Sequence, residues 1–364
     1  MSVPATPMER SVPRDARTST ARMLMICAWL SLAIVVVLSL SIGATGITLA
    51  ALPDAIQHWL AGSDDDATAA RHSLVLLEIR LPRTLLGLFV GAALAVAGAM
   101  MQGLFRNPLA DPGLIGVSSG AALAAVATIA LGNEFAAPWI GTFGPYALPI
   151  SAFFGGVITT WMLVAVAGRH GQLMIGTLLL AGIAIGALAG AMSGLIAYVS
   201  DDRELRDLTL WTLGSLSGAS WPKVIAVTPF AILIAFAIPR LIRGLNGFLL
   251  GEAEAFHLGI NVEATKKFVV VTTAACVGAA VAVAGVIGFI GIVVPHFVRL
   301  IAGPDHRIVL PASALVGGTL MVFADILARM LVRPAELPIG IVMAAIGAPV
   351  FLHLVLKRGI GGVE

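Results

Sequence analysis

Residues 178–199 read LLLAGIAIGALAGAMSGLIAYV, a run of 22 without a single charge. A helix needs roughly 20 mostly apolar residues to cross the hydrocarbon core of a bilayer, so this stretch reads as a membrane span. Working outward, ten such segments appear, some short or interrupted by Gly and Pro: about 23–47, 84–104, 113–131, 145–167, 173–199, 222–239, 268–287, 289–301, 308–331 and 338–356. The apolar run of the first is longer than the roughly 7–15 residues of a signal-peptide h-region, so it reads as a retained helix. Segment 289–301 is too short to span alone and reads as a half-helix packed inside the bundle. The fold class expected is therefore all-α, a polytopic membrane protein of about ten transmembrane helices. Composition agrees. Of 364 residues 59% are hydrophobic and 12% charged, with mean hydropathy +0.99, against about 25% charged in soluble domains. Such a chain could not cover its own surface in water, which excludes a soluble enzyme, a disordered chain and a nucleic-acid binder.

Charge sorting sets the orientation, because cytoplasmic loops are enriched in Lys and Arg. With both termini cytoplasmic, 14 of the 22 basic residues and 8 of the 20 acidic ones fall on the inner side, leaving it at +6 and the outer side at −4. An odd number of spans would spoil this sorting. No separate soluble domain is visible. Residues 1–22 have no apolar periodicity and read as a disordered cytoplasmic tail. The longest polar stretches after it are 48–80, 200–221 and 240–267.

Several chemistries are missing. There is no Gly-Lys dipeptide, hence no phosphate-binding loop of the G-x-x-x-x-G-K-[ST] type, and the chain is not itself an ATPase by that route. The seven histidines are scattered and no metal-ligand spacing appears; Cys27 and Cys276 lie in apolar runs and read as core residues. Asp325 is the one clear acid within a span, where a charge costs about 2.5–3.5 kcal/mol on insertion scales. An ion-coupled secondary carrier, the alternative of another class, would usually need more such groups, so their scarcity argues for a pore driven by an outside engine.

Four features carry mechanism. In the fifth span Gly182, Gly186, Gly190 and Gly194 recur every four residues along one ridge, as in small-xxx-small packing; the ridge either packs within the bundle or meets a partner subunit or the translocation path. Gly87 and Gly91 make a shorter version in the second span. Residues 101–120, MQGLFRNPLADPGLIGVSSG, place a turn between Pro108 and Pro112, with Asn107 and Asp111 in it. The loop 240–267, RLIRGLNGFLLGEAEAFHLGINVEATKK, carries an apolar pattern of Leu249, Leu250, Ala253, Phe256 and Leu258 that reads as a docking helix for another protein or as a helix lying on the membrane. On the outer side Arg80 and Arg83 bracket Pro82, and Arg329 follows Asp325 by four residues, so those two can pair on one helix face. These arginines are positive points on an acidic outer surface, or else interfacial side chains that snorkel.

Taken together, RLPRTLLGLFVGAALAVAGAMMQGLFRNPLADPGLIGVSSGAAL (80–123), HLGI (257–260), GFIGIVVPHFVRL (288–300), ADILAR (324–329) and ELPIGIVMAAIGAPVF (336–351) closely resemble the permeases of bacterial type II ABC importers, the iron-siderophore, heme and vitamin B12 family. The resemblance covers about 23–358, as a single transmembrane permease domain. It implies a multi-pass protein of the bacterial inner membrane that works as a homodimer, with two ATP-binding cassette subunits on the cytoplasmic side and a periplasmic substrate-binding protein outside. It implies no covalently bound cofactor, no metal and no nucleic acid; ATP acts through the partner ATPase. By the same resemblance Arg80, Arg83 and Arg329 receive glutamates of the binding protein. Glu252, Glu254, Phe256, His257, Leu258 and Gly259 fall in the coupling helix, and Asn107 and Leu109 match a cytoplasmic gate. Met174, Ile175, Gly176 and Thr177 stand where the vitamin B12 permease has small hydroxyl residues, a departure that makes this gate more apolar. The fifth and tenth spans wall the dimer interface. The outer loop LRDLTLWTLGSLSGASW (205–221) is most similar to heme-importer permeases. The expectation is import of heme as the transported substrate, with a ferric siderophore or cobalamin as the alternative within the same mechanism.

Overall fold

Pro82 lacks the N–H that would close the helical turn behind it, and the chain answers by widening. In the computed structural model residues 74–80 form a π-helical turn, and the Leu81 N–H reaches back to the Leu76 carbonyl. The structure describes residues 14–43, 47, 49–61, 67–132, 136–169, 172–332 and 335–360.

In chain order the helices are α1 (Arg14–Ser41), α2 (Leu52–Ala61), α3 (Ala67–Ser73), α4 (Leu81–Phe105), α5 (Val117–Ala130), α6 (Ala137–Phe143), α7 (Ala147–Ala167), α8 (Ile175–Val199), α9 (Asp202–Thr212), α10 (Trp221–Phe248), α11 (Glu252–His257), α12 (Val262–Ala284), α13 (Ile290–Ala302), α14 (His306–Met330) and α15 (Ile339–Ile360). Strands β1 (Gly168–Arg169) and β2 (Gln172–Leu173) pair antiparallel before α8. Among the described residues seven helical stretches are long and apolar enough to cross a membrane, and three shorter apolar helices accompany them. Each of the ten expected segments finds its helix. The ends are called inner and outer here, after the charge sorting.

Helices α4 and α12 form the axis of the bundle: 78% of their span is buried, against 17% for α1 and α8. Glycines permit the closest crossings. A Cβ at Gly91 would overlap the Gly317 carbonyl of α14, one at Gly98 the Gly291 carbonyl of α13, and one at Gly155 of α7 the Gly120 carbonyl of α5. Helix α13, at 13 residues, is about 20 Å long at 1.5 Å per residue, short of the roughly 30 Å hydrocarbon core. The crossing is completed by non-helical chain from Gly285, and Ser215 N–H donates to the Ala284 carbonyl across 2.8 Å.

Two expectations on boundaries are corrected, and two polar stretches prove helical. Helix α1 starts at Arg14, inside the stretch read as tail; residues 1–13 lie outside the described residues. The polar stretches 48–80 and 200–221 contain helices α2, α3 and α9. The loop read as 240–267 shrinks to two short connections around α11, because α10 continues through Pro239 to Phe248. Leu241, Leu245 and Phe248 keep the helical spacing beyond the proline and are all at most 2% exposed. Packing outweighs the lost backbone bond.

Candidate functional site

The chemistry-bearing side chains gather at the two ends of the bundle. At the inner end, Gly251 with φ 120° opens the way into α11 and Gly259 with φ 78° closes it, two left-handed positions that an L side chain adopts only with strain. Glu252 and Glu254 in the first turn complement the helix dipole, and His257 stands in the last turn. Ala255 is the buried anchor, while Phe256 is 69% and Leu258 64% exposed, as are Leu249 and Leu250 beside them to lesser or similar extents.

Lys266 of α12 pins this helix in place. Its Nζ lies 2.7 Å from Glu252 and 3.3 Å from Glu263, and donates to the Leu173 carbonyl at 3.4 Å. Glu263 in turn accepts from the Leu173 N–H at 2.8 Å. Leu173 ends β2, directly before the segment 174–177. A cleft of about 1000 Å³ results, lined by Met174, Ile175 and Gly176 on one side and by Glu252, Phe256, His257 and Gly259 on the other. Two groups read separately from the sequence, the coupling helix and the apolar gate, thus share one cavity. Glu254, Leu258 and Thr177 do not line it. Asn107 and Leu109 lie apart from it but together: Asn107 Oδ1 accepts the Leu109 N–H at 2.9 Å, an Asx turn that shapes the end of α4. Asp111 accepts from Gly113 N–H at 2.6 Å; burial pushes its carboxyl above the usual range, opposed by that bond.

A polar collar missed in the sequence braces the same end. Gln102 of α4 donates to the Gly291 carbonyl at 3.1 Å and to Ile292 at 3.2 Å, and its carbonyl accepts from Arg299 of α13. Asn246 of α10 donates to Asp305 at 2.7 Å and accepts the His306 N–H at 2.9 Å. These pairs join residues 59 to 197 positions apart, so no local spacing could have shown them.

At the outer end the three arginines are not the exposed points the sequence reading expected. Arg80 is 4% and Arg83 8% exposed. Arg80 sits in the π turn and donates to the Leu40 and Ser41 carbonyls at the end of α1 and to the Ile47 carbonyl beyond it. Arg83 grips Asp325 by two nitrogens, Nε at 3.0 Å and Nη2 at 2.8 Å, and Glu336 by Nη1 at 3.0 Å. The Asp325–Arg329 pair read from the sequence forms, at 3.1 Å. Arg329 also donates to Ser39 Oγ at 3.1 Å, which contacts Thr84 Oγ1 at 2.8 Å. The physical reason for the correction is, for Arg83 and Arg329, the four-residue step on α14 together with the proximity of α4, which aim both cations at one buried carboxylate, and for Arg80 the backbone carbonyls that draw it inward. Glu336 was missed as a partner, being 253 positions from Arg83.

The glycine ridge of α8 divides by depth. Gly182 is buried, its carbonyl 3.5 Å from where a Cβ on Gly116 would stand; Gly186 faces Ser119; Gly190 and Gly194 meet nothing. Leu188 and Leu195 beside them are 59% and 66% exposed.

The sequence matches the FecCD transport family over residues 31–357. It is 46% identical over 286 residues to the hemin transport system permease protein HmuU of Yersinia pestis, covering 78% of this chain and 84% of that one. It is 43% identical over 304 residues to the vitamin B12 import system permease protein BtuC of Salmonella paratyphi A, covering 83% and 89%. Among solved structures, a metal-chelate type ABC transporter in an inward-facing conformation superposes with a TM-score of 0.79 at 32% identity, covering 92% of this chain and 99% of that one.

Proposed function

The chain belongs to the FecCD transport family, as a multi-pass inner-membrane permease subunit of an ABC importer whose ATP hydrolysis is done by a separate subunit, and from that premise we propose that its substrate is hemin. The observation that carries this is the 46% identity to a hemin permease, supported by the outer-loop text LRDLTLWTLGSLSGASW (205–221). Cobalamin is the second reading, favoured by relatives at 42–43% identity; a ferric siderophore is the third. Reconstitution in liposomes with the ATPase and a binding protein loaded with hemin, cobalamin or ferric siderophore tests it. Hemin uptake is expected; uptake of either other ligand without hemin overturns it.

The proposed assembly is a homodimer with two ATPase subunits inside and a binding protein outside, and one permease domain over about 23–358. The exposed Phe256 and Leu258 and the cleft beside them supply the apolar seat for the ATPase. Because the cleft reaches Met174, Ile175 and Gly176, movement of α11 acts on the gate directly, while Asn107 and Leu109 shape a second constriction. Gly182 fixes α8 to the bundle, Gly186 packs beside Ser119 at the edge of that contact, and Gly190 turns toward the path or the partner subunit. On the outer side Arg80, Arg83 and Arg329 hold helix ends together. A carboxylate of the binding protein reaches Arg83 by taking the place of Glu336, whose side chain is 39% exposed.

A further inference from the structure

Between the outer ends of three helices lies a second cavity, of about 170 Å³. Its walls include Tyr146 just before α7, Phe153 and Phe154 in the first half of α7, Ala226 and Phe230 near the start of α10, and Val283 at the end of α12. All sit within about three turns of the outer helix ends, which places the cavity at the depth of the outer leaflet's acyl chains. Phe153 and Phe230 line it with ring centroids 5.2 Å apart, and Phe154, 54% exposed, leaves it open sideways. A helix, about 10–12 Å across with its side chains, is too wide for such a slot, whereas a single hydrocarbon chain is not.

A cation stands on the same helix, one turn outward of the lining residues of α10. Lys223 precedes Ala226, Val227 and Phe230 by three, four and seven residues, the spacing of one helix face, and lies on the outer side of them. Its Nζ is 3.1 Å from where a Cβ on Gly218 would stand. Among the described residues no carboxylate and no hydrogen-bond acceptor meets it. A half-covered ammonium without a counter-charge is costly, and Tyr146 at the rim is of the type that sits at headgroup level.

We propose that this is a site for one anionic glycerophospholipid of the outer leaflet, with an acyl chain in the slot and the headgroup phosphate on Lys223. The apolar slot supplies affinity for the chain, and the unpartnered cation selects the anionic headgroup. The site is independent of the transported substrate.

The test uses the permease with its ATPase in nanodiscs containing phosphatidylglycerol or phosphatidylcholine with a diazirine on one acyl chain. Photolabelled peptides are mapped after irradiation. Adducts are expected on Phe153, Phe154 or Phe230, in higher yield with phosphatidylglycerol. Lys223→Gln is expected to cut that preference about fivefold, the factor for one lysine at a lipid surface, while lowering phosphatidylcholine labelling less, because the choline already neutralises that lipid's phosphate. Ala226→Phe, which fills the slot, is expected to abolish labelling there by both lipids while labelling around the exposed Trp29 of α1 persists. Equal labelling by the two lipids, or an unchanged preference in Lys223→Gln, overturns the headgroup assignment. Undiminished labelling of the three phenylalanines in Ala226→Phe overturns the slot.

Discussion

Arg83 at the outer end and Lys266 at the inner end are built alike and behave as opposites. Each is a basic side chain less than a tenth exposed, and each holds two carboxylates. Around Arg83 the main partner, Asp325, is 3% exposed and shared with Arg329. Around Lys266 both partners reach solvent, Glu252 at 41% and Glu263 at 30%. A buried carboxylate between two guanidiniums has no water to fall back on, so the outer cluster is a lock. Carboxylates that keep part of their hydration can let go at small cost, so the inner pin is releasable. The difference lies in the partners' exposure and not in the number of bonds.

The largest effect that would break this contrast is at Asp325. Asp325→Ala leaves two largely buried guanidiniums without their shared anion, and removing one partner of a buried pair costs about 3–5 kcal/mol. The expected result is a clear fall in the thermal unfolding midpoint of the purified permease in detergent, with Asp325→Asn falling less because it keeps the shape and accepts hydrogen bonds. A midpoint unchanged in Asp325→Ala means the cluster is not a lock. Next in size, Gly98→Leu drives a side chain into the Gly291 carbonyl at the α4–α13 crossing, whereas Gly190→Leu meets open space; overpacking costs about 1–3 kcal/mol. The same unfolding assay should separate the two in that order, and equal midpoints contradict the placement of Gly98 at a closed crossing.

What the sequence made legible was whatever repeats locally. The ten apolar helices of the bundle followed from apolar length, and the Asp325–Arg329 pair from a four-residue step. The Gly182–Gly194 ridge was visible as a pattern, yet the closest crossings use one glycine from each of two distant helices, such as Gly98 and Gly291 or Gly91 and Gly317. No spacing within one helix displays such a pair. The same holds for Glu336 on Arg83, Glu263 on Leu173 and Asn246 on His306. The length of α10 was misread for a different reason: Pro239 is a stop signal in water, but buried contacts of Leu241 and Leu245 override it here. Exposure was the least legible quantity, because an arginine at a span end looks the same whether it snorkels outward or closes on a carboxylate.

Lys266→Met tests the releasable pin. Its loss unties α11 from β2, but Glu252 and Glu263 can turn to water, so the stability cost should be near the 1.5–3 kcal/mol of hydrogen bonds to charged groups and below that of Asp325→Ala. The sharper readout is functional: ATPase activity should persist while its stimulation by the loaded binding protein falls, since the cleft that joins α11 to Met174 and Ile175 loses its brace. Full stimulation would place coupling elsewhere.

Glu336→Gln is expected to have the smallest effect on stability and the most telling one on docking. The pair is at the rim, where exposed ion pairs contribute about 0.2–1 kcal/mol, and Arg83 keeps Asp325, so the unfolding midpoint should barely move. Yet the substitution weakens the hold on Nη1 of Arg83 and removes one negative charge from the outer surface. If an incoming carboxylate replaces Glu336, the variant should capture the binding protein faster, and the gain should shrink as salt is raised, because rim charges act mainly on association rate. Surface-plasmon measurements of the reconstituted permease at two ionic strengths read this directly. An association rate that is unchanged, or slower, would mean that Arg83 is sealed within the lock on both sides and that docking rests on other groups of the outer face.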